Sequence, residues 1–203
     1  MQEKVLELLS GRQGHFLLES GHHGDLWLDL ETLCLTPHRA QVVAGELAAR
    51  LSDLRLDAVC GPLVEGAFIA LMVALQLGTH FTYSERFVGP SAEGLFPAGY
   101  RVPASLREGL RGQRVAIVND VINAGSAVRG TWSDLEECGT NIVAIGTLLV
   151  LGSAAASFAG SKNIPLHTVA ALPNNLWIAS QCPLCASGVP LQDVAAFSTS
   201  LRI

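Results

Sequence analysis

Apolar residues recur along the chain with two alternating periods. Within residues 37–53, Ala40, Val43, Ala44, Leu47, Ala48 and Leu51 fall at i, i+3, i+4, i+7, i+8 and i+11, one face of a helix. Pro37 suits the first turn of that helix, and Thr36 before it suits the N-cap. Residues 2–12 carry a shorter amphipathic pattern that predicts a helix. "LDAVCGP" (56–62) has strand length and ends at Gly61-Pro62, and "VEGAFIALMVALQLG" (64–78) predicts a buried helix closed by Gly78. "HFTYSER" (80–86) reads as a strand, 87–99 as a Gly/Pro-rich loop, and "YRVPAS" (100–105) as a short return strand. "RVAIVND" (114–120) is a strand that runs through a small-residue loop into a helix. "NIVAIGTLLVLG" and "LHTVAAL" are further apolar strands, with "SAAASFAGSKN" between them.

Strands alternate with helices, and the central strands are apolar at successive positions rather than every second one. Such strands are buried on both faces, which predicts an α/β fold with a mostly parallel central sheet and helices on both sides. Ligands of these sheets bind beyond the carboxyl ends of the strands. Two unusual loops, 61–66 and 119–127, fall at such ends.

Composition narrows the classes. Of 203 residues, 49% are hydrophobic and 15% charged, enough apolar side chain for a sizeable core in what reads as one domain. The net charge of −5 leaves no basic footprint for nucleic acid. The best apolar runs, 67–75 and 142–151, fall well short of the roughly 20 residues of a membrane span. The N-terminal stretch lacks signal-peptide features, so a soluble, cytoplasmic protein is expected. Five cysteines, an odd number, do not suggest a disulfide framework.

The 119–127 loop carries the chemistry. A helix N-terminus presents unpaired N–H groups and a positive dipole end, and small residues let an anion approach them closely. Gly125, Ser126 and Ala127 could therefore cradle a phosphate. Asn119 and Asp120 one loop away could hold the vicinal hydroxyls of a ribose. The plainer alternative is a polar turn in which Ser126 caps the helix. The Walker loop is absent, and no glycine pair has the Gly-x-Gly spacing of the Rossmann fingerprint.

"VAIVNDVINAGSAVRGT" resembles the phosphoribosyl-pyrophosphate (PRPP) signature of type I phosphoribosyltransferases. Four further segments are similar to the orotate phosphoribosyltransferase branch: "GHFLLESGHHGDLWLDL" (14–30), "VCGPLVEGAFIALMVALQLG" (59–78), "YSER" (83–86) and "CPLCASGVPL" (182–191). The resemblance covers nearly the whole chain in order. It implies the type I fold with a small hood made from residues 1–36 and about 174–203. It also implies transfer of ribose 5-phosphate from PRPP to orotate or a related pyrimidine, with Mg²⁺ and as a homodimer. On matched positions, Asn119 and Asp120 would hold the ribose, Asn123, Ala124, Gly125, Ser126 and Ala127 the 5′-phosphate, and Leu63, Val64, Glu65 and Gly66 the pyrophosphate. Arg86 would grip the leaving pyrophosphate, and Phe16, Glu19 and Trp27 would stand near the base.

The chain departs from the family pattern at several of these positions. Asn119 replaces the first of two acids, and Glu65 stands where Gly or a basic residue is usual. That Glu either meets pyrophosphate through Mg²⁺ or caps the adjacent helix. Residues 87–99 contain no Lys, Arg or His where the family's mobile loop has cations, leaving Arg86 and Arg101 beside it; Arg86, in the matching Glu-Arg pair, is preferred, with an ordinary surface arginine as the alternative for either. Gly152-Ser153 follows Leu151 where the family usually has an orotate-binding Arg. Two rival functions remain on the same fold: a non-catalytic PRPP or nucleotide sensor, and a transferase for another base. No side-chain metal site is expected. Cys182-x-x-Cys185 has zinc-knuckle spacing, but with no second pair or nearby His it reads as a reduced pair packing the C-terminal segment. His15 reads as structural, His22, His23 and Asp25 as a solvated turn, and Trp27, Trp132 and Trp177 as core or interface residues.

Overall fold

The computed structural model describes residues 2–88 and 95–193. The chain opens with α1 (Gln2–Leu6) and the antiparallel pair β1 (Ser10–Leu17) and β2 (His23–Asp29). Then come α2 (Pro37–Leu51), β3 (Ala58–Pro62), α3 (Glu65–Leu77), β4 (His80–Val88), β5 (Ala98–Arg101) and α4 (Ala104–Arg107). The second half comprises β6 (Arg114–Ile122), α5 (Ser126–Glu137), β7 (Asn141–Leu151), α6 (Ala154–Ser161) and β8 (Leu166–Leu172). It closes with β9 (Leu176–Trp177), α7 (Pro183–Ala186) and β10 (Gln192–Asp193).

The main sheet has the order β5-β4-β3-β6-β7-β8. All its neighbours pair in parallel except β5, which returns antiparallel to β4. The continuous apolar runs are explained by two cores, one on each face. Val59, Ala116, Val118, Ala144 and Leu148 pack with α2 and α3 on one side. Ala58, Val115, Ile117, Ile145 and Val150 pack with α5 and α6 on the other. Neighbours in the sequence of β6 thus serve opposite cores, the period-two geometry of a strand covered twice.

The six positions expected on the inner face of α2 are all buried. Gly78 closes α3 in the left-handed region at φ 66°, as the C-cap reading requires. Two expectations need correction. The first helix ends at Leu6, because residues 10–17 are drawn into the β1–β2 ladder, and Gly11 and Gly14 favour a helix poorly. Helix α3 is not buried all round: Ile69, Ala70, Val73 and Ala74 face the core, whereas Phe68, Leu71 and Leu75 are 44%, 49% and 72% exposed. Between β7 and β8 the chain forms α6, the crossover that parallel strands need.

A second, smaller sheet has the order β10-β1-β2-β9, joining the N-terminal hairpin to the C-terminal segment. Among the described residues no helix is long and apolar enough to cross a membrane.

Candidate active site

A cavity of about 410 Å³ opens at the carboxyl ends of β3 and β6, with residues of β2 and of the turn after β1 in its wall. It brings together the two loops singled out in the sequence. The 63–66 loop and residues 119–121 and 123–127 line it, with Arg86, Glu19 and Trp27. Tyr100 and Leu151 line it too, and sequence reasoning gave Tyr100 no role.

Strand β6 delivers Asn119 and Asp120 to the cavity in fixed orientations. Thr147, beside Asn119 in the β6–β7 register, donates its hydroxyl to the Asp120 carbonyl at 2.9 Å. Burial pushes the Asp120 carboxyl up to about 7, and the neighbouring charge of Glu65 adds to the rise, while the Val121 N–H bond opposes it. The Asn119 amide donates to the Val121 carbonyl at 2.9 Å. A carboxylate there could only accept, and would face that carbonyl oxygen. Asn119 therefore satisfies its own loop. Its Oδ1 lies against Gly66, where a Cβ would collide with it.

At 123–127 the chain leaves β6 and enters α5. Gly125 is the N-cap of α5, left-handed at φ 85°, and no side chain caps the helix. Ser126 is thus the first helical residue rather than the cap. The first-turn N–H groups have no intrahelical acceptor. From behind, the Asn174 amide donates to Asn123 Oδ1 at 2.7 Å. On the pyrophosphate side, Val64 is the N-cap of α3 without a side-chain cap bond, so Glu65 does not cap the helix and its residue lines the cavity. Gly61 lets β3 pass close beneath α3, since a Cβ would lie 2.6 Å from the Gly66 carbonyl.

Arg86 and Glu19 meet across the cavity mouth. Arg86 Nε lies 3.0 Å from Glu19 Oε2, and the Tyr100 hydroxyl donates to Glu19 Oε1 at 3.0 Å. Arg86 is the sole cation among the described lining residues, against Glu19, Glu65 and Asp120. The acidity reaches past the lining: burial and the charges of Asp120 and Glu65 push the Cys34 thiol up to about 11.

No family model matches the sequence. Orotate phosphoribosyltransferase of Thermus thermophilus is 30% identical over 185 residues, covering 90% of this chain and 92% of that protein. The chain belongs to the orotate phosphoribosyltransferase family. Its counterpart from Caldanaerobacter subterraneus subsp. tengcongensis is 28% identical over 197 residues, covering 94% of this chain and 95% of that one. The fold is shared with orotate phosphoribosyltransferase from Aeropyrum pernix (TM-score 0.63, 24% identity, 85% and 94% covered). It is also shared with adenine phosphoribosyltransferase from Trypanosoma brucei (TM-score 0.62, 17% identity, 83% and 78% covered).

Not every residue aligned with this family's site reaches the cavity. Phe16 is 1% exposed, lies off the cavity and packs beside Gly14, so it supports the hairpin rather than a base. Arg101 turns to the Phe87 ring, 5.0 Å from its centroid. Neither His22 nor Asp25 is in the cavity lining: His22 contacts the hydroxyl of the lining residue Ser20 at 3.0 Å, and Asp25 accepts from the Asn175 amide at 2.7 Å. Trp132 is a core residue, whereas Trp27 lines the cavity and has the Arg12 guanidinium 5.8 Å from its ring centroid. Residues 89–94 of the loop without cations lie outside the described residues. The expectation for the Cys182/Cys185 pair is corrected. His15 and His23 stand beside it, so that one nitrogen from each ring and the two sulfurs all lie within 4.8 Å of one another.

Proposed function

We propose that this chain is a PRPP-dependent phosphoribosyltransferase acting on orotate or a related pyrimidine. A ring nitrogen of the base gives its electron pair to C1 of the ribose. The bond from C1 to the pyrophosphate oxygen breaks, pyrophosphate leaves with that pair, and the base nitrogen gives up its proton. The observation that carries this reading is one cavity holding an uncapped helix N-terminus of small residues and the buried Asp120 together. The N–H groups at 125–127 would hold the 5′-phosphate. Asp120 would accept from the ribose hydroxyls and stabilise positive charge developing on the ring. Arg86 would turn from Glu19 to the pyrophosphate.

The donor set fits Mg²⁺. Glu19, Glu65 and Asp120 share the wall with one Arg, so a polyanion entering alone would meet net negative charge. Asp120 and Glu65, which line the cavity, would be the carboxylates to hold the metal, and it would supply charge neutralisation for the leaving pyrophosphate. We also read the protein as a homodimer, supported by the exposed stripe Phe68, Leu71 and Leu75 on α3. A reducing cytoplasm suits its free cysteines.

The test is pyrophosphate release from PRPP and Mg²⁺ in the presence of orotate, uracil and other free bases. Turnover with a pyrimidine supports the reading. PRPP binding without turnover of any base would make the chain a sensor, and turnover only with a purine would reassign the substrate. Leu151 is followed by Gly152, left-handed at φ 66° and close to the Asn174 carbonyl, so the chain offers no orotate-pairing Arg side chain there. Lacking that charge-assisted contact, roughly 1.5–3 kcal/mol, orotate should have a KM about ten- to a hundredfold above a less acidic pyrimidine able to react.

A further inference from the structure

We propose that His15, His23, Cys182 and Cys185 form a structural zinc site that fastens the C-terminal segment to the hood hairpin. His15 Nε2 lies 3.1 Å from His23 Nδ1, 3.3 Å from Cys182 Sγ and 3.7 Å from Cys185 Sγ. Cys185 Sγ lies 3.3 Å from His23 Nδ1. A tetrahedral zinc with bonds of about 2.0–2.1 Å to nitrogen and 2.3 Å to sulfur separates its ligand atoms by about 3.3–3.8 Å. These four separations, 3.1–3.7 Å, are close to that spacing, and the remaining two, from Cys182 Sγ to Cys185 Sγ and to the His23 ring nitrogen, lie within 4.8 Å.

The surroundings prepare the ligands. The Val189 carbonyl can only accept, so the 2.8 Å contact from His15 Nδ1 puts the proton on that nitrogen. Nε2 then presents its lone pair to the cluster, the usual orientation of a metal-bound imidazole held by an outer carbonyl. His15 and His23 come from paired strands, β1 and β2, and a ladder irregularity between Gln13 and Phe16 sits at His15. Cys182 is the N-cap of α7, and Cys185 lies within that helix. The Gly188 N–H donates to the Cys185 carbonyl at 3.0 Å, and Gly188 reverses the chain at φ 71°.

A second observation shows that this region needs a fastening. From Ile178 to Asp193, Cys182 is the one buried residue, and Ile178, Val189 and Leu191 are 37–43% exposed. The segment has no apolar core of its own, and its ladder with β1 spans only two residue pairs. Small elements of this kind are commonly held by a metal or disulfides, and both cysteines are free thiols here. Four protein ligands close the coordination shell, so the metal would be structural, with no open position for substrate. Leu18, Glu19 and Ser20 line the catalytic cavity just after β1, and Trp27 lies on β2, so the metal would also brace one wall of that cavity.

The intact protein, purified without added metal, should carry about one zinc per chain by elemental analysis. Refolded with Co²⁺, it should show the intense visible bands of a tetrahedral thiolate site. Cys185→Ser, at an exposed position, should keep its circular dichroism yet bind Zn²⁺ roughly 100-fold or more weakly. Stripping the metal with a strong chelator should lower Tm and open residues 178–193 to protease. Wild type without zinc, and with Zn²⁺ affinity no greater than that of the Cys182→Ser/Cys185→Ser variant, would overturn the proposal. So would a Cys182–Cys185 disulfide in anaerobically prepared protein. Should the serine variants fail to fold, the wild-type metal content and cobalt spectrum decide alone.

Discussion

Arg86 and Glu19 hold each other across the cavity mouth, Nε to Oε2 at 3.0 Å. The sole cation among the described lining residues is thus already engaged by a carboxylate. Both side chains are more than a third exposed, and such pairs contribute only about 0–1 kcal/mol. The pair is weak enough to open when a stronger anion arrives. Glu19→Gln should therefore tighten pyrophosphate binding about two- to fivefold, by removing the competitor. Arg86→Ala should lower kcat about ten- to a hundredfold. Calorimetry and steady-state kinetics on both variants check this, and unchanged values would remove Arg86 from the site.

Asp120 links pH to both stability and turnover. Its folded pKa, about 7, lies above the 3.8 of an ordinary Asp. Between those values the folded state holds more protons than the unfolded state, so stability falls as pH rises from about 4 to about 7. Asp120→Asn removes that charge. It should stabilise the ligand-free protein at pH 8 by ~1–3 kcal/mol and change little near pH 4. The same variant should lower kcat, and wild-type kcat/KM for PRPP should rise with pH through about 7. Thermal melts at the two pH values and a pH–rate profile test this; a destabilised Asn variant at pH 8 contradicts it.

Gly66 and Asn119 are coupled through one contact. A Cβ at Gly66 would collide with Asn119 Oδ1, and a shift of that amide would break its bond to Val121. Gly66→Ala should cost roughly 1–3 kcal/mol. Adding Asn119→Ala removes the clash, so the double variant should regain most of the stability without regaining turnover. Melting curves of the two single variants and the double variant decide; strictly additive losses would show that the contact is not what requires glycine.

The apolar stripe on α3 makes an assembly prediction. Leu71 and Leu75, 49% and 72% exposed, lie on the face opposite the core. Leu71→Glu should turn a dimer into monomers while leaving the melting of the isolated chain within about 0.5 kcal/mol. Sedimentation or light scattering reads this directly, and a monomeric wild type would leave the stripe without a partner copy.

Much of this protein is legible in its sequence, because the relevant patterns are local. Period-two and period-3.6 apolar spacing declares strands and helices, and unbroken apolar runs declare strands covered on both faces. A loop of small residues between an acid and a helix declares an anion site, because helix N-terminal N–H groups are unpaired wherever a helix begins. These signals point to 119–127 and to the strand-end loop 61–66, whereas the pyrophosphate reading of 63–66 comes from the family resemblance alone. Tertiary structure alone decided the rest. It decided that Ser126 and Glu65 line the cavity rather than cap their helices, and left one face of α3 uncovered. It set Glu19 against Arg86. It also carried Cys182 back to His15, 167 residues earlier in the chain. Sequence spacing reveals partners within one element. Partners on distant elements meet only through strand register and the return path of the chain, which depend on the packing of the whole molecule.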